Sequence, residues 1–223
     1  MIDILYEDES LLVCVKPSGT LSELSDSPVS LPNMLCRDRK AAGEELVLYP
    51  IHRLDREVCG AIVFAKNEYC AKKLSEAVAS REIRKEYLAI IEGTPADKSA
   101  TLCDLLFKDS SKNKSFVVKR ERRGVKKASL SYNTLASRNG TSLVSIELHT
   151  GRTHQIRVQF SSRGHSVLGD RKYGSSIKDS QIALCSHRLT FSHPKTKKTL
   201  DVVYTPTAEG LWATYASELA QLQ

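Results

Sequence analysis

The apolar and polar positions of this chain fall into short stretches of period two, separated by a few stretches of helical period. From Thr141 to Thr150, Val144, Ile146 and Leu148 alternate with Ser145, Glu147 and His149, which predicts a strand buried on one face. The run Ala61-Ile62-Val63-Phe64-Ala65 has no polar member and predicts a strand buried on both. Ile2 to Tyr6 and Leu11 to Lys16 predict two short strands around an acidic turn, the second broken by Pro17-Ser18-Gly19. Arg84 to Gly93, Ala183 to Leu189 and Leu200 to Tyr204 carry further strand-like runs, rich in branched or aromatic residues.

Helical spacing appears in three places. Cys70, Leu74, Ala77 and Val78 recur three or four apart, predicting a helix capped by Asn67 and running to about Arg81. Ile156 and Phe160 stand one turn apart in a second, capped by Thr153 and continuing to about Arg163. Ala208 to Leu219 reads as a closing helix, and the polar stretch Ser22 to Glu45 as a loop or short helix region. Strands dominate without regular beta-alpha-beta alternation, so the expected class is α+β, with a mixed, mostly antiparallel sheet flanked by helices.

At 223 residues and 41% hydrophobic the chain can bury one substantial core, and a single catalytic domain over 1–223 is the expectation. Its formal charge of +7 favours a polyanionic partner, nucleic acid first. From Lys108 to Lys127 nine basic residues face two acidic ones around Phe116-Val117-Val118, which fits either a solvated hairpin or a phosphate-contacting arm. Six cysteines at irregular intervals, with no C-x-x-C pair, fit neither a zinc site nor a small disulfide framework. They read as reduced thiols of a cytoplasmic protein. No signal segment or membrane-length apolar run is present. His149, His154 and His165 lack metal-ligand spacing.

Chemistry concentrates in His52-Arg53-Leu54-Asp55, followed by Cys59-Gly60 and the apolar run. A carboxylate at the mouth of a buried strand is held on a rigid element, as covalent or acid/base work on a bound substrate requires.

Taken with Arg84-Lys85-Glu86-Tyr87, Thr150-Gly151-Arg152-Thr153-His154-Gln155-Ile156-Arg157, Gly169-Asp170-Arg171-Lys172-Tyr173-Gly174 and Leu184-Cys185-Ser186-His187-Arg188-Leu189, that block resembles the RluA-type RNA pseudouridine synthases in residues, order and spacing. The opening strands through Lys16-Pro17-Ser18-Gly19 share the likeness.

The resemblance implies the pseudouridine synthase fold with an RNA-binding cleft, and isomerisation of a specific uridine in tRNA or rRNA. Uracil is detached from its ribose, turned, and rejoined through carbon, with no cofactor. By resemblance Asp55 is the catalytic carboxylate, either attacking the anomeric carbon or removing the neighbouring sugar proton. Arg152 pairs with it to hold its charge and orientation. Tyr87 stacks on the extracted base. Arg53 fills the space a flipped nucleotide leaves, and His154, Arg157, Arg171 and Lys172 join it in binding RNA. The partner is structured RNA, with no membrane and no metal; the chain is expected to act as a monomer without a separate amino-terminal RNA-binding module. Val58-Cys59-Gly60 departs from the family's common Thr-Ser-Gly, losing one hydroxyl and replacing another with a thiol. A noncatalytic RNA-binding factor has only that departure in its support. A glycosidic hydrolase would call for a second placed carboxylate, for which Glu57 and Asp170 are poor choices.

Overall fold

The computed structural model describes residues 2–177 and 181–222. In chain order it runs β1 (Ile4–Glu7), β2 (Leu11–Lys16), α1 (Leu31–Ala41), β3 (Tyr49–Pro50), β4 (Cys59–Ala65), α2 (Glu68–Ala79) and β5 (Arg84–Glu92). There follow β6 (Ser99–Asp109), β7 (Lys114–Val118), β8 (Val125–Arg138), β9 (Thr141–Leu148), α3 (Gln155–Ser161), β10 (Leu184–Ser192), β11 (Thr199–Val203) and α4 (Ala216–Ala220). Short 3-10 turns stand at Arg171–Tyr173 and Gly210–Tyr215. Two compact units emerge: one comprises the chain up to Lys85 together with Cys185–Thr205, the other Glu86–Leu184 and the chain from Pro206 onward.

In the first unit the strands lie in the order β1-β2-β4-β10, with β3 on β4 and β11 on β10. β2 and β4 pair antiparallel from Leu11 opposite Ala65 to Lys16 opposite Gly60. β10 runs parallel to β4, Cys185 beside Cys59 and Ser186 beside Gly60. Every side chain of β2 is buried, as are those of β4 beyond Cys59, so both strands read as apolar runs rather than alternations. Asn67 caps α2 as the sequence predicts, accepting from the Cys70 amide at 3.0 Å. Cys70 and Leu74 of α2 then pack on Leu11, Val13, Val63 and Phe191. Burying a side chain such as Leu74 contributes about 1.5–3 kcal/mol.

The second unit holds the antiparallel order β5-β9-β8-β6-β7. Val144 and Ile146 of β9 are buried while Ser145 and Glu147 are half-buried, as the alternation predicts, but Leu148 is only half-buried and Ser142 and Leu143 are both buried. Val158 of α3 packs on Leu106, Ala128 and Tyr173. A parallel pairing of β4 with β10 among antiparallel ladders gives the mixed, mostly antiparallel α+β arrangement expected.

Two helix boundaries differ from expectation. Thr153 does not cap α3: His154 occupies the N-cap position with φ of 53°, and the Thr153 carbonyl accepts instead from the Ser115 hydroxyl at 2.6 Å. The left-handed step suits His better than a β-branched residue. The closing segment is a 3-10 turn followed by five helical residues, not a helix from 208 to 219. Three residues per turn set Trp212 and Tyr215 above one another, both buried, with the Tyr215 hydroxyl 3.0 Å from that of Thr141.

Candidate active site

Asp55 lies in the loop entering β4, on a short turn closed by the Val58 amide donating to the Asp55 carbonyl at 3.0 Å. Leu54 and Val58 on either side are buried, so the turn is pinned by its apolar members while Asp55 stays half-buried. Val58 is 3% exposed, which is compatible with losing the hydroxyl of a threonine there.

Polar contacts from the end of β2 and the loop after it clamp this turn. The Ser22 hydroxyl donates to the Leu54 carbonyl and accepts from the Leu54 amide, both at 3.1 Å. The Gly19 amide donates to the Arg56 carbonyl at 2.8 Å, and Arg56 Nε returns a bond to the Gly19 carbonyl at 3.0 Å. Lys16 is fully buried, and its ammonium donates to the carbonyls of Pro17 at 3.0 Å, Thr20 at 2.8 Å and Arg56 at 3.0 Å. Burial holds that ammonium down to about 8, against the opposing pull of Cys59, Glu57 and Asp55.

At the far side of the turn Gly60 has φ of 112°, and a Cβ there would stand 2.3 Å from the Ser186 carbonyl oxygen. Only glycine lets β10 come this close. His52 accepts from the Val63 amide through Nε2 at 3.3 Å, while Nδ1 is buried without a hydrogen-bond partner. Burial, with Lys85 adding to it, depresses the imidazole to about 3, so His52 is neutral and supplies orientation rather than proton transfer at neutral pH. Arg53 points outward, its guanidinium 3.4 Å from the exposed Glu23 carboxylate.

In the second unit, Tyr87 is 6% exposed on β5, opposite Ile146 of β9. Arg152 precedes α3 on a loop that Gln155 organises: Gln155 Oε1 accepts from the Arg152 amide at 3.0 Å and the Thr150 hydroxyl at 2.7 Å, while its Nε2 donates to the Ser129 carbonyl at 3.1 Å. Arg152 Nε donates to the Lys127 carbonyl at 3.0 Å. Among the described residues no group of three or more His, Cys, Asp and Glu is arranged to hold a metal ion, and no helix is long and apolar enough to cross a membrane.

The sequence profile of the RNA pseudouridylate synthases matches residues 10–162, a span that contains the whole clamped turn, Tyr87 and Arg152. The chain belongs to the RluA-type RNA pseudouridine synthase family. It is 33% identical over 200 residues to an uncharacterized RNA pseudouridine synthase of Bacillus subtilis, YhcT, covering 87% of this chain and 65% of the relative. It is 32% identical over 206 residues to ribosomal large subunit pseudouridine synthase C of Buchnera aphidicola, covering 88% and 64%. The chain thus spans just under two thirds of the length of these curated relatives. Among solved structures, human RNA pseudouridylate synthase domain containing 4 shares the fold with a TM-score of 0.77 at 22% identity, covering 99% of this chain and 92% of that one.

Within this member of the RluA-type family the segment that begins α3 is built around a buried ion pair. Arg157 is 2% exposed, and its Nε and Nη2 grip both carboxylate oxygens of the fully buried Asp170 at 2.6 and 2.9 Å. Its guanidinium lies 5.3 Å from the centre of the Tyr173 ring. The hydroxyl of that tyrosine meets His154 Nδ1 at 3.0 Å and accepts from the Ser115 amide at 2.8 Å. His154 is itself only 7% exposed. Arg157 and His154, expected among the RNA contacts, are instead turned inward, where their polar groups fix the start of α3 against β7 and the Arg171–Tyr173 turn. Arg171 is exposed and Lys172 half-buried, Lys172 donating to the Asn113 carbonyl at 3.1 Å.

Lys16, Ser22, Gln155 and Asp170 escaped the sequence reading as site-building residues. Lys16 alone left a usable signal, a cation closing an otherwise apolar strand just before Pro-Ser-Gly.

Proposed function

We propose that this chain isomerises a uridine in structured RNA to pseudouridine, with Asp55 as the catalytic carboxylate. The observation that carries the reading is the clamped turn: the carboxylate-bearing residue of the family motif sits on backbone fixed by Lys16, Ser22 and Gly19. Such preorganisation is what chemistry at a sugar carbon demands. Asp55 either attacks the anomeric carbon or takes the neighbouring sugar proton. In both routes the bond from that carbon to the ring nitrogen breaks, a bond to the ring carbon forms, and the proton on that carbon is lost as the nitrogen regains one.

In this proposal Arg152 orients the Asp55 carboxylate, Tyr87 stacks on the extracted base and Arg53 occupies the space the flipped nucleotide leaves. Arg171 and Lys172 contact phosphate. The relative named for the ribosomal large subunit favours large-subunit rRNA as the substrate, with tRNA the alternative.

The test incubates purified protein with transcribed large-subunit rRNA fragments and tRNAs and maps pseudouridine. Product should form on rRNA, and Asp55→Asn should lower the rate by at least about 10³-fold without weakening RNA binding. Arg152→Met should slow turnover more than it weakens affinity. Undiminished product from the Asn variant overturns the assignment of Asp55, and release of free uracil would indicate hydrolysis instead.

A further inference from the structure

Cys59 opens β4, Cys185 stands at the start of β10, and the two are register partners in the parallel pairing. Partners on neighbouring strands share a face and lie about 4.8 Å apart, within the roughly 4.4–6.8 Å between Cα atoms that a disulfide spans. The Cys185 sulfur lies against the backbone beside Cys59, 2.9 Å from where a Cβ on Gly60 would be.

The two thiols are unequal. Cys59 is half-buried and Cys185 buried, and neither is held in a disulfide. The hydrogen bond from Cys185, and then the Lys16 ammonium, hold the Cys59 thiol below its ordinary range in spite of burial. Burial pushes Cys185 well above that range. Tyr204 also faces the pair, its phenol pushed up to about 12 by burial and by the two sulfurs, so it stays neutral. An acidified thiol on a half-buried residue beside a more deeply buried one is the arrangement of an attacking and a resolving thiol.

We propose that Cys59 and Cys185 form a hydroperoxide-sensitive thiol pair that closes reversibly to a disulfide. The Cys59 thiolate attacks one peroxide oxygen; the O–O bond breaks and the departing oxygen takes a proton, leaving a sulfenic acid on Cys59. Cys185 sulfur then displaces the hydroxyl, forming the S–S bond as the S–O bond breaks, and its proton leaves with that hydroxyl as water. With hydrogen peroxide, two thiols and one peroxide give one disulfide and two waters. A dithiol reductant restores both thiols. The serine common at this position in the family could not take part.

The test treats the reduced, folded chain with hydrogen peroxide, blocks remaining thiols with N-ethylmaleimide and maps the non-reduced digest by mass spectrometry. A peptide pair joined through Cys59 and Cys185 should appear, be reversed by dithiothreitol, and form several-fold faster than the exposed Cys103 is oxidised. Cys185→Ser should leave a sulfenic acid on Cys59 that dimedone traps, and Cys59→Ser should leave Cys185 reduced. Recovery of both wild-type cysteines as maleimide adducts, a link through any other cysteine, or earlier oxidation of Cys103 overturns the proposal. None of these readouts uses RNA, so their outcome is independent of the proposed isomerase activity.

Discussion

The Lys16 ammonium donates to the Arg56 carbonyl at 3.0 Å, tying the end of β2 to the residue that follows Asp55. A buried cation shared among three carbonyls gives the candidate active-site turn a fixed backbone, and its removal strands all three acceptors.

Lys16→Met should therefore destabilise the chain by about 2 kcal/mol or more at neutral pH, read by urea unfolding. Its pH dependence follows from the depressed value of about 8 in the folded protein. Between about pH 8 and 10.4 the unfolded chain binds more protons at this position than the folded one, so the Lys16 contribution rises with pH. The stability gap between wild type and variant should widen across that window; a gap that narrows would contradict the buried-cation account.

His52 titrates at about 3 in the folded chain, below its unfolded value. As pH falls from about 6.5 the unfolded state takes up a proton that the folded state refuses, so stability is lost toward about pH 3. Wild type should lose about 1.4 kcal/mol more per pH unit than His52→Asn over the acid limb. Parallel acid-unfolding curves would show that His52 is solvated.

Arg157→Met or Asp170→Asn leaves an uncompensated group in a buried site and should cost about 3–5 kcal/mol. The double variant should cost less than the two single losses summed, because each already breaks the same pair. Additive losses in denaturant titrations would mean the two residues act separately.

The β7–β8 connection carries Arg120, Arg122 and Arg123 exposed, and of these Arg122 also lies over the Phe107 ring at 4.7 Å. If the proposal of RNA binding holds, affinity falls steeply with added salt through counterion release. Arg120→Gln and Arg123→Gln should each reduce the salt slope by about 1, measured by filter binding across a salt series. Slopes equal to wild type would assign this hairpin to solvent.

Much of the fold is legible in local pattern. β2 and α2 begin where their apolar periodicity and their punctuation place them, at Leu11 and after the Asn67 cap. The start of α3 departs from its local signal because His154 takes a left-handed conformation beside Tyr173, which Ser115 holds in turn, contacts made across long stretches of chain. The Arg157–Asp170 pair is hidden for the same reason: nothing local separates a buried arginine from a phosphate-binding one. Asp55 stands out through its neighbours in sequence, while the clamp from Lys16 and Ser22 joins residues more than thirty positions apart.

Because β4 takes its parallel neighbour from residues 185 and 186, the sheet of the first unit cannot close when its opening 85 residues have been synthesised. During translation the Cys59–Gly60 end of that edge of β4 waits for its partner, its other end being paired by β3, while about a hundred intervening residues emerge. Maturation of the loop bearing Asp55 is thereby tied to the synthesis of residues 185 and 186, and a nascent chain truncated before them would carry the motif without the strand that finishes its support.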